Sequence, residues 1–220
     1  MKSYGICPAS CGEFVQGILD NEEYLSSYAI DMFSIATLEE KSKHVNLGPD
    51  KSRKAIEKVF QRFNIPLEEC SNISLEINSN IPVGKGMASS TADIGATIKA
   101  TLSLLNKNLD NEEISRIASA IEPTDSILLY ENSIFNPING QVKKYLSTLE
   151  NCSVIILEPD EILETSIMRS NPNYLNIKLE NKSIINKAFN LINIKFVSVS
   201  YAFIFLNFLK KFSINNLSSR

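Results

Sequence analysis

Two adjoining patterns of apolar residues mark the middle of the chain. The first recurs at every second position, at Ile73, Leu75 and Ile77, which is the period of a strand with one buried face. The second recurs at helical spacing, at Ile94, Ile98, Leu102 and Leu105. It predicts an amphipathic helix that begins near Asp93 and packs on a sheet. The segment between the two patterns is therefore predicted to be a strand-to-helix turn.

Further patterns extend this picture to an α+β or α/β chain. The residues up to about Leu38 have a strand-rich pattern, and residues 52–63 form a predicted helix with one apolar face: Ile56, Val59, Phe60 and Phe63. Another helix is predicted to begin at Asp110, with Glu113 three residues later, and to end before Pro123. Residues 132–140 resemble a linker, and the apolar run at 154–157 is typical of a strand buried on both faces.

The predicted turn has the composition of a phosphate-binding loop. Two glycines, Gly84 and Gly86, allow the backbone to approach an anion closely, and three consecutive hydroxyl residues, Ser89, Ser90 and Thr91, follow them. The first N–H groups of the next helix are unpaired and lie at the positive end of its dipole. A simpler interpretation is that Ser90 only caps the helix, with Asp93 completing a capping-box-like pair. The spacing of a Walker P-loop is not met.

Composition narrows the class of protein. The chain has 220 residues, of which 44% are hydrophobic, so it is long enough to bury one sizeable core in one or two domains. Its net charge of -3 and scattered basic residues give no footprint for nucleic acid, so a nucleic-acid partner is not expected. Four unclustered cysteines and the lack of a recognisable signal sequence predict a cytoplasmic protein.

Two short blocks contain further candidate residues. In the block at residues 7–17, Cys7 and Cys11 have a spacing that suits a metal site, but no second cysteine pair follows and His44 is the only histidine. Glu13 is the one acid in this block; taken alone, it is best interpreted as a solvated residue in a turn-rich loop. In the block at residues 122–126, Asp125 either reaches into a cleft or forms a local turn with its hydroxyl neighbours.

Together these blocks resemble a known family. The Gly-rich segment at 82–93 resembles the second motif of the GHMP kinases, with Met87 and Ala88 where Leu-Gly is usual. Within that superfamily, the segment at 85–93 is most similar to the L-threonine kinases of cobalamin synthesis. The blocks at 7–17 and 122–126 resemble motifs of the same branch and occur in the same order.

The resemblance implies a reaction and assigns roles in it. ATP and L-threonine would give ADP and O-phospho-L-threonine, with Mg²⁺ as the metal. Asp125 would be the catalytic residue that orients or deprotonates the hydroxyl, Glu13 would lie near the substrate, and Ser90 with Glu122 would bind the metal. The nucleotide would lie against a run of nine residues: Pro82, Gly84, Lys85, Gly86, Met87, Ala88, Ser89, Ser90 and Thr91. The alternatives are a kinase for homoserine or a related alcohol, and an inactive remnant.

The resemblance also implies a two-domain fold. Residues 1–140 would form an ATP-binding domain like domain 2 of ribosomal protein S5, and residues 141–194 would begin an incomplete ferredoxin-like domain. The sequence contains no glycine after Gly140, so nothing matches the family's third, Gly-rich motif. The aromatic segment at 195–220 is interpreted as a product of truncation or frameshift, with a buried element or a membrane anchor as alternatives; no membrane association is expected.

Overall fold

The fold begins with a long antiparallel hairpin. A computed structural model describes residues 1–41, 48–146, 153–156 and 170–192. Strand β1 (Lys2–Leu19) pairs with strand β2 (Glu22–Glu40) through a two-residue turn in which Asp20 and Asn21 both have positive φ. This conformation suits the twist of a hairpin. The strand-rich start predicted from the sequence is confirmed.

The block at residues 7–17 lies within β1, so its interpretation as a turn-rich loop is wrong. Gly12 has a φ of 100°, and the pairing register of the hairpin shifts on both sides of Glu13. These irregularities are typical of β-bulges, which add a residue to a strand and redirect its side chains. Glycine and polar residues thus mark a distorted strand here and not a loop.

Within the described residues, three more strands extend the sheet. Strand β3 (Ile73–Ser79) pairs with β2, and the alternation predicted for it is confirmed. Strand β4 (Ser133–Phe135) also pairs with β2 and with strand β5 (Val142–Tyr145). The linker predicted at residues 132–140 is therefore wrong, because β4 is fully buried in the sheet and only the tight turn after it has linker-like composition.

Helix α2 (Ser89–Leu104) packs on this sheet, and two further helices pack against α2. Helix α1 (Asp50–Arg62) and helix α3 (Asn111–Ser119) confirm the two predicted amphipathic helices, and the side chain of Asp110 accepts the backbone N–H of Glu113 at the start of α3. Arg53 connects α1 to its surroundings. Its guanidinium is buried and donates to the carbonyl oxygens of Ile73 and Cys70 at 2.6 and 2.7 Å.

Helix α2 (Ser89–Leu104) is the central element of the core. It begins four residues before Asp93 and is buried on nearly every side, so the prediction of an amphipathic helix is wrong. Two of its buried polar residues are threonines whose hydroxyls form hydrogen bonds within the helix. Thr97 donates to the carbonyl of Asp93 at 2.7 Å, and Thr101 donates to that of Thr97 at 2.8 Å. Such internal bonds remove the cost of burying a hydroxyl.

Strand β1 and helix α2 touch backbone to backbone. A Cβ atom at Gly5 would lie 2.0 Å from the carbonyl oxygen of Ala96 and 2.4 Å from the nitrogen of Ala100. The hydroxyl of Ser3 donates to the carbonyl oxygen of Ala100 at 2.8 Å, which confirms how closely the two elements approach. Only glycine fits at this crossing.

The C-terminal part of the described chain consists of helices α4 (Asn173–Glu180) and α5 (Lys182–Ile192). Ile185 and Phe189 of α5 pack against β1. Residues 153–156 lie in no helix or strand and are exposed, so the buried strand predicted there is wrong. Leu157, the last residue of the predicted strand, lies outside the described residues.

The predicted division into 1–140, 141–194 and 195–220 stays a prediction, and the whole of the last segment lies outside the described residues. None of the helices in the described ranges is both long enough and apolar enough to cross a membrane.

Candidate functional site

The loop between β3 and α2 packs against the core on one side and is exposed on the other. The side chain of Met87 is 5% exposed and packs in the core, while its carbonyl oxygen accepts the N–H of Ser10 at 3.1 Å. Gly84 and Gly86 have φ values of 72° and 71°, and a Cβ at Gly86 would meet none of the described residues within 4 Å. Pro82 and Lys85 are half-buried in the same loop. The glycines are therefore required by conformation, and the space beside Gly86 is open in the described part of the chain.

The first turn of α2 points toward this loop. Ala88, in the left-handed conformation, precedes the helix, and the N–H of Ala92 makes a helical bond to its carbonyl oxygen at 2.9 Å. The N–H groups of Ser89, Ser90 and Thr91 come before that bond, so the helix gives them no acceptor. Together with the helix dipole they attract an anion such as phosphate.

The capping interpretation of Ser90 is wrong. Ser90 is the second residue of the helix, and the N-cap position is occupied by Ala88, which makes no side-chain cap bond. Asp93 accepts a hydrogen bond from the hydroxyl of Ser34 at 2.5 Å, and burial raises its pKa. Both side chains of the expected capping box thus bond to other elements of the fold.

Ser90 belongs to a polar cluster with Glu122 and Lys51. The hydroxyl of Ser90 donates to Oε1 of Glu122, and the ammonium of Lys51, at the start of α1, lies 2.5 Å from Oε2 of Glu122 and 3.3 Å from Oγ of Ser90. The structure brings together the two predicted metal ligands. One hydroxyl and one carboxylate, beside a place for phosphates, form the kind of oxygen donor set that suits Mg²⁺.

Asp125 lies next to this cluster and is held from two sides. Its Oδ1 accepts the hydroxyl of Ser27 at 3.0 Å, and its Oδ2 lies 3.5 Å from Oγ1 of Thr91, which also accepts the hydroxyl of Thr124 at 3.1 Å. Ser126 begins a short 3-10 helix, and its hydroxyl accepts the N–H of Ser27 at 3.1 Å. These bonds reach β2 and α2, so the local-turn interpretation of the block is wrong.

Glu13 faces Asp125 across the site. Burial, the negative charge of Asp125 and a hydrogen bond between the two carboxyl groups raise the pKa of Glu13 to about 8. The bulges in β1 direct its side chain inward, so its interpretation as a solvated loop residue is wrong. Burial and the neighbouring charge of Asp125 therefore favour the protonated form of Glu13.

A lysine from the C-terminal half adjoins this pair. Lys178 of α4 has a side chain that is 2% exposed, and its ammonium lies 2.8 Å from Oε1 of Glu23 and 2.5 Å from the hydroxyl of Tyr174. Gln16 also donates to Glu23, at 3.0 Å. The positive charge of Lys178 opposes the rise in the pKa of Glu13.

No local pattern indicates a role for Lys51, Ser27 or Lys178, because each comes from an element that is distant along the chain. The pairing of strands and the packing of helices bring these residues close to the loop and to Asp125.

The two cysteines of the first block take no part in a described metal site. Cys7 is buried against α2, and burial raises the pKa values of both Cys7 and Cys11 to about 11. Among the residues that the structure describes, no group of three or more histidine, cysteine or acidic side chains is arranged to hold a metal ion. His44 lies outside those residues.

Comparison with known proteins agrees with this geometry. Residues 50–128 match the family described as GHMP kinases N terminal domain. The chain is 32% identical over 186 residues to an L-threonine kinase of Salmonella typhimurium and 32% identical over 160 residues to that of Citrobacter freundii. These matches cover 84% and 73% of this chain but only 61% and 55% of the relatives, so the chain spans less than two thirds of their length.

The fold itself also has solved counterparts. The mevalonate kinase of Methanococcus jannaschii superimposes with a TM-score of 0.60 at 19% identity, over 86% of this chain and 73% of that one. At that identity the likeness concerns the fold alone, a mixed α+β architecture. The family match at residues 50–128 and the two 32%-identical relatives show that the chain belongs to the GHMP kinase family.

Proposed function

We propose that this chain binds ATP at the start of α2 and transfers its terminal phosphoryl group to the hydroxyl of L-threonine, giving ADP and O-phospho-L-threonine for cobalamin synthesis. The observation that carries the proposal is the position of Asp125, whose Oδ2 lies 3.5 Å from a hydroxyl in the first turn of α2. A base beside a phosphate cradle is what transfer to an alcohol requires. The names of the two 32%-identical relatives supply the acceptor.

In this proposal the backbone of the loop holds the phosphates. The N–H groups that begin α2 and the open side of Gly84 and Gly86 form the cradle, while Pro82 and Lys85 border it. Met87 contributes through its backbone alone, because its side chain packs in the core. The nucleotide would lie between an S5-like domain at 1–140 and a ferredoxin-like domain that begins at 141–194.

Ser90 and Glu122 would hold the magnesium ion. When bound, the ion neutralises charge on the phosphates during transfer. Their hydroxyl and carboxylate oxygens are already in contact with each other, so the pair is assembled before any ligand arrives.

Asp125 would accept the proton of the acceptor hydroxyl. Ser27 and Thr91 orient its two oxygens, and the proton held by Glu13 keeps the pair from carrying two negative charges. A base positioned in this way contributes about 10² to 10⁴ in rate. Glu13, which interacts with Asp125, would lie near the hydroxy amino acid that accepts the phosphoryl group.

The test is a substrate panel with ATP and Mg²⁺. ADP release is measured with L-threonine, L-homoserine and L-serine, and the product is identified by phosphorus NMR. We expect turnover with L-threonine and a loss of about 10² to 10⁴ in kcat for Asp125→Asn. Asp31→Asn, a matched change at an exposed aspartate of β2, is the control and should retain activity.

Three outcomes would contradict parts of the proposal. Turnover with homoserine but not threonine would overturn the acceptor. Nucleotide binding without turnover would favour an inactive chain, in keeping with the lack of a third Gly-rich motif after Gly140. The absence of both nucleotide binding and turnover would overturn the function itself.

A further inference from the structure

The cluster at the start of α2 already contains a cation. The ammonium of Lys51 lies 2.5 Å from Oε2 of Glu122 and 3.3 Å from Oγ of Ser90. These two oxygens belong to the side chains that would hold the magnesium ion. Lys51 therefore acts as the counter-ion of the carboxylate when no metal is present.

Lys51 and a divalent ion cannot share this position. A magnesium ion bound to oxygen has ligand distances of about 2.0–2.1 Å, so an ion on Ser90 and Glu122 would stand close to the ammonium. Like charges at that separation repel strongly, and more so beside a half-buried carboxylate than in open water. The lysine must move away when the metal arrives.

The side chain of Lys51 has room to move, and the start of α2 lies next to it. Its side chain is 53% exposed, so its flexible four-carbon stem is free to swing, whereas the side chain of Glu122 is 19% exposed and is held by Ser90 as well. The unpaired N–H groups of the first turn of α2 begin at Ser89, beside the hydroxyl that Lys51 contacts. A phosphate bound there would lie within reach of the ammonium.

We propose that Lys51 exchanges partners during ligand binding: it neutralises Glu122 in the empty site, yields that carboxylate to the divalent metal, and then binds a phosphate oxygen of the nucleotide. This inference rests on the proposed function, because it assigns a residue to the same nucleotide site. It makes Lys51 a phosphate-binding residue that competes with the metal before the nucleotide arrives.

The exchange predicts opposite changes in two affinities when the charge is removed. In Lys51→Met, Mn²⁺ should bind the nucleotide-free protein about two- to fivefold more tightly, because its competitor is gone; this is the range expected for an exposed ion pair. Binding of ADP in EDTA should weaken by about tenfold, because a charge-assisted bond to phosphate is lost. Loss of folding or a general disturbance of the site would weaken both.

Mn²⁺ binding is measured by the electron paramagnetic resonance of the free ion, and ADP binding by isothermal titration calorimetry. Lys51→Arg keeps the charge and should behave as the original chain in both assays. Lys54→Met removes an equal charge from an exposed position one turn further along α1 and is the matched control. It should change neither affinity.

The outcomes separate this inference from the proposed function. Tighter Mn²⁺ with weaker ADP in Lys51→Met, and neither change in Lys54→Met, supports the exchange. An unchanged or weaker Mn²⁺ affinity, or an unchanged ADP affinity, overturns it while leaving the kinase proposal standing if L-threonine is still phosphorylated. Failure of the original chain to bind either probe overturns both.

Discussion

Replacing Gly5 by alanine tests the contact on which the whole site depends. The new methyl carbon would lie 2.0 Å from the carbonyl oxygen of Ala96 and 2.4 Å from the nitrogen of Ala100, whereas ordinary contacts begin at 3.4 Å. Both neighbours are backbone atoms of α2, so no side chain can rotate away. Strand and helix must separate by roughly 1 Å or more, since packed interiors contain no spare volume.

The expected loss in the free energy of unfolding is at the upper end of the range for substitutions that overpack a core. Such substitutions cost about 1–3 kcal/mol, and we expect about 3 kcal/mol of the free energy of unfolding for Gly5→Ala because the obstacle is rigid. ADP affinity should fall too, since α2 contributes the N–H groups and Ser90 to the site. The chain contains no tryptophan, so unfolding by urea is followed by far-ultraviolet circular dichroism.

Gly86→Ala is the matched control for this change. There the Cβ would meet nothing within 4 Å, but the residue has a φ of 71°. We expect a loss of about 1–2 kcal/mol from left-handed strain alone. A smaller loss for Gly5→Ala than for Gly86→Ala would refute the argument that β1 and α2 touch through their backbones.

Three further predictions concern single side chains. The pKa of Glu13 rises from 4.5 to about 8 on folding. The contribution of this carboxyl to the free energy of unfolding is therefore fully present below pH 4.5 and is lost as the pH rises through 8. Glu13→Gln should flatten the resulting decline in Tm measured from pH 5 to 9. Arg53→Met removes two charge-assisted bonds to backbone carbonyls and should lower the free energy of unfolding by about 3 kcal/mol in urea titrations. Ser27→Ala should lower kcat about tenfold, with the KM for ATP unchanged, because Asp125 loses one of its orienting bonds; an equal change in both parameters would contradict this.

Patterns in the sequence correctly predicted the helices and strands whose conformation is determined by residues close to one another in the chain. The alternation from Ile73 defined β3, the apolar face at Ile56 and Val59 defined α1, and the pairing of Asp110 with Glu113 defined the start of α3. In each case, burial of one face or a hydrogen bond three residues away decides the conformation. The loop before α2 was recognisable for the same reason, because its glycines and its position between strand and helix are adjacent in sequence.

The wrong predictions concern residues whose conformation depends on contacts with distant parts of the chain. Serine often caps helices, yet the hydroxyl of Ser90 donates its hydrogen bond to Glu122, 32 residues away. Residues 133–135 were interpreted as part of a linker because their pairing with β2 is invisible in a local window. Glu13 lies in a bulged strand opposite Asp125, and nothing near it in sequence indicates an acidic partner. Roles that depend on such contacts need the tertiary structure.

The long hairpin that begins the fold has a consequence for how the protein is made. Ser27 meets Asp125 across 98 residues of sequence, and Ser3 meets Ala100 across 97. The hairpin therefore leaves the ribosome well before α2, with the apolar face formed by Cys7, Ala36 and Leu38 uncovered. At typical rates of synthesis this interval lasts on the order of ten seconds. Bare strands of this kind pair readily with other chains, so we expect slower translation between β2 and α2 to lower the yield of folded protein.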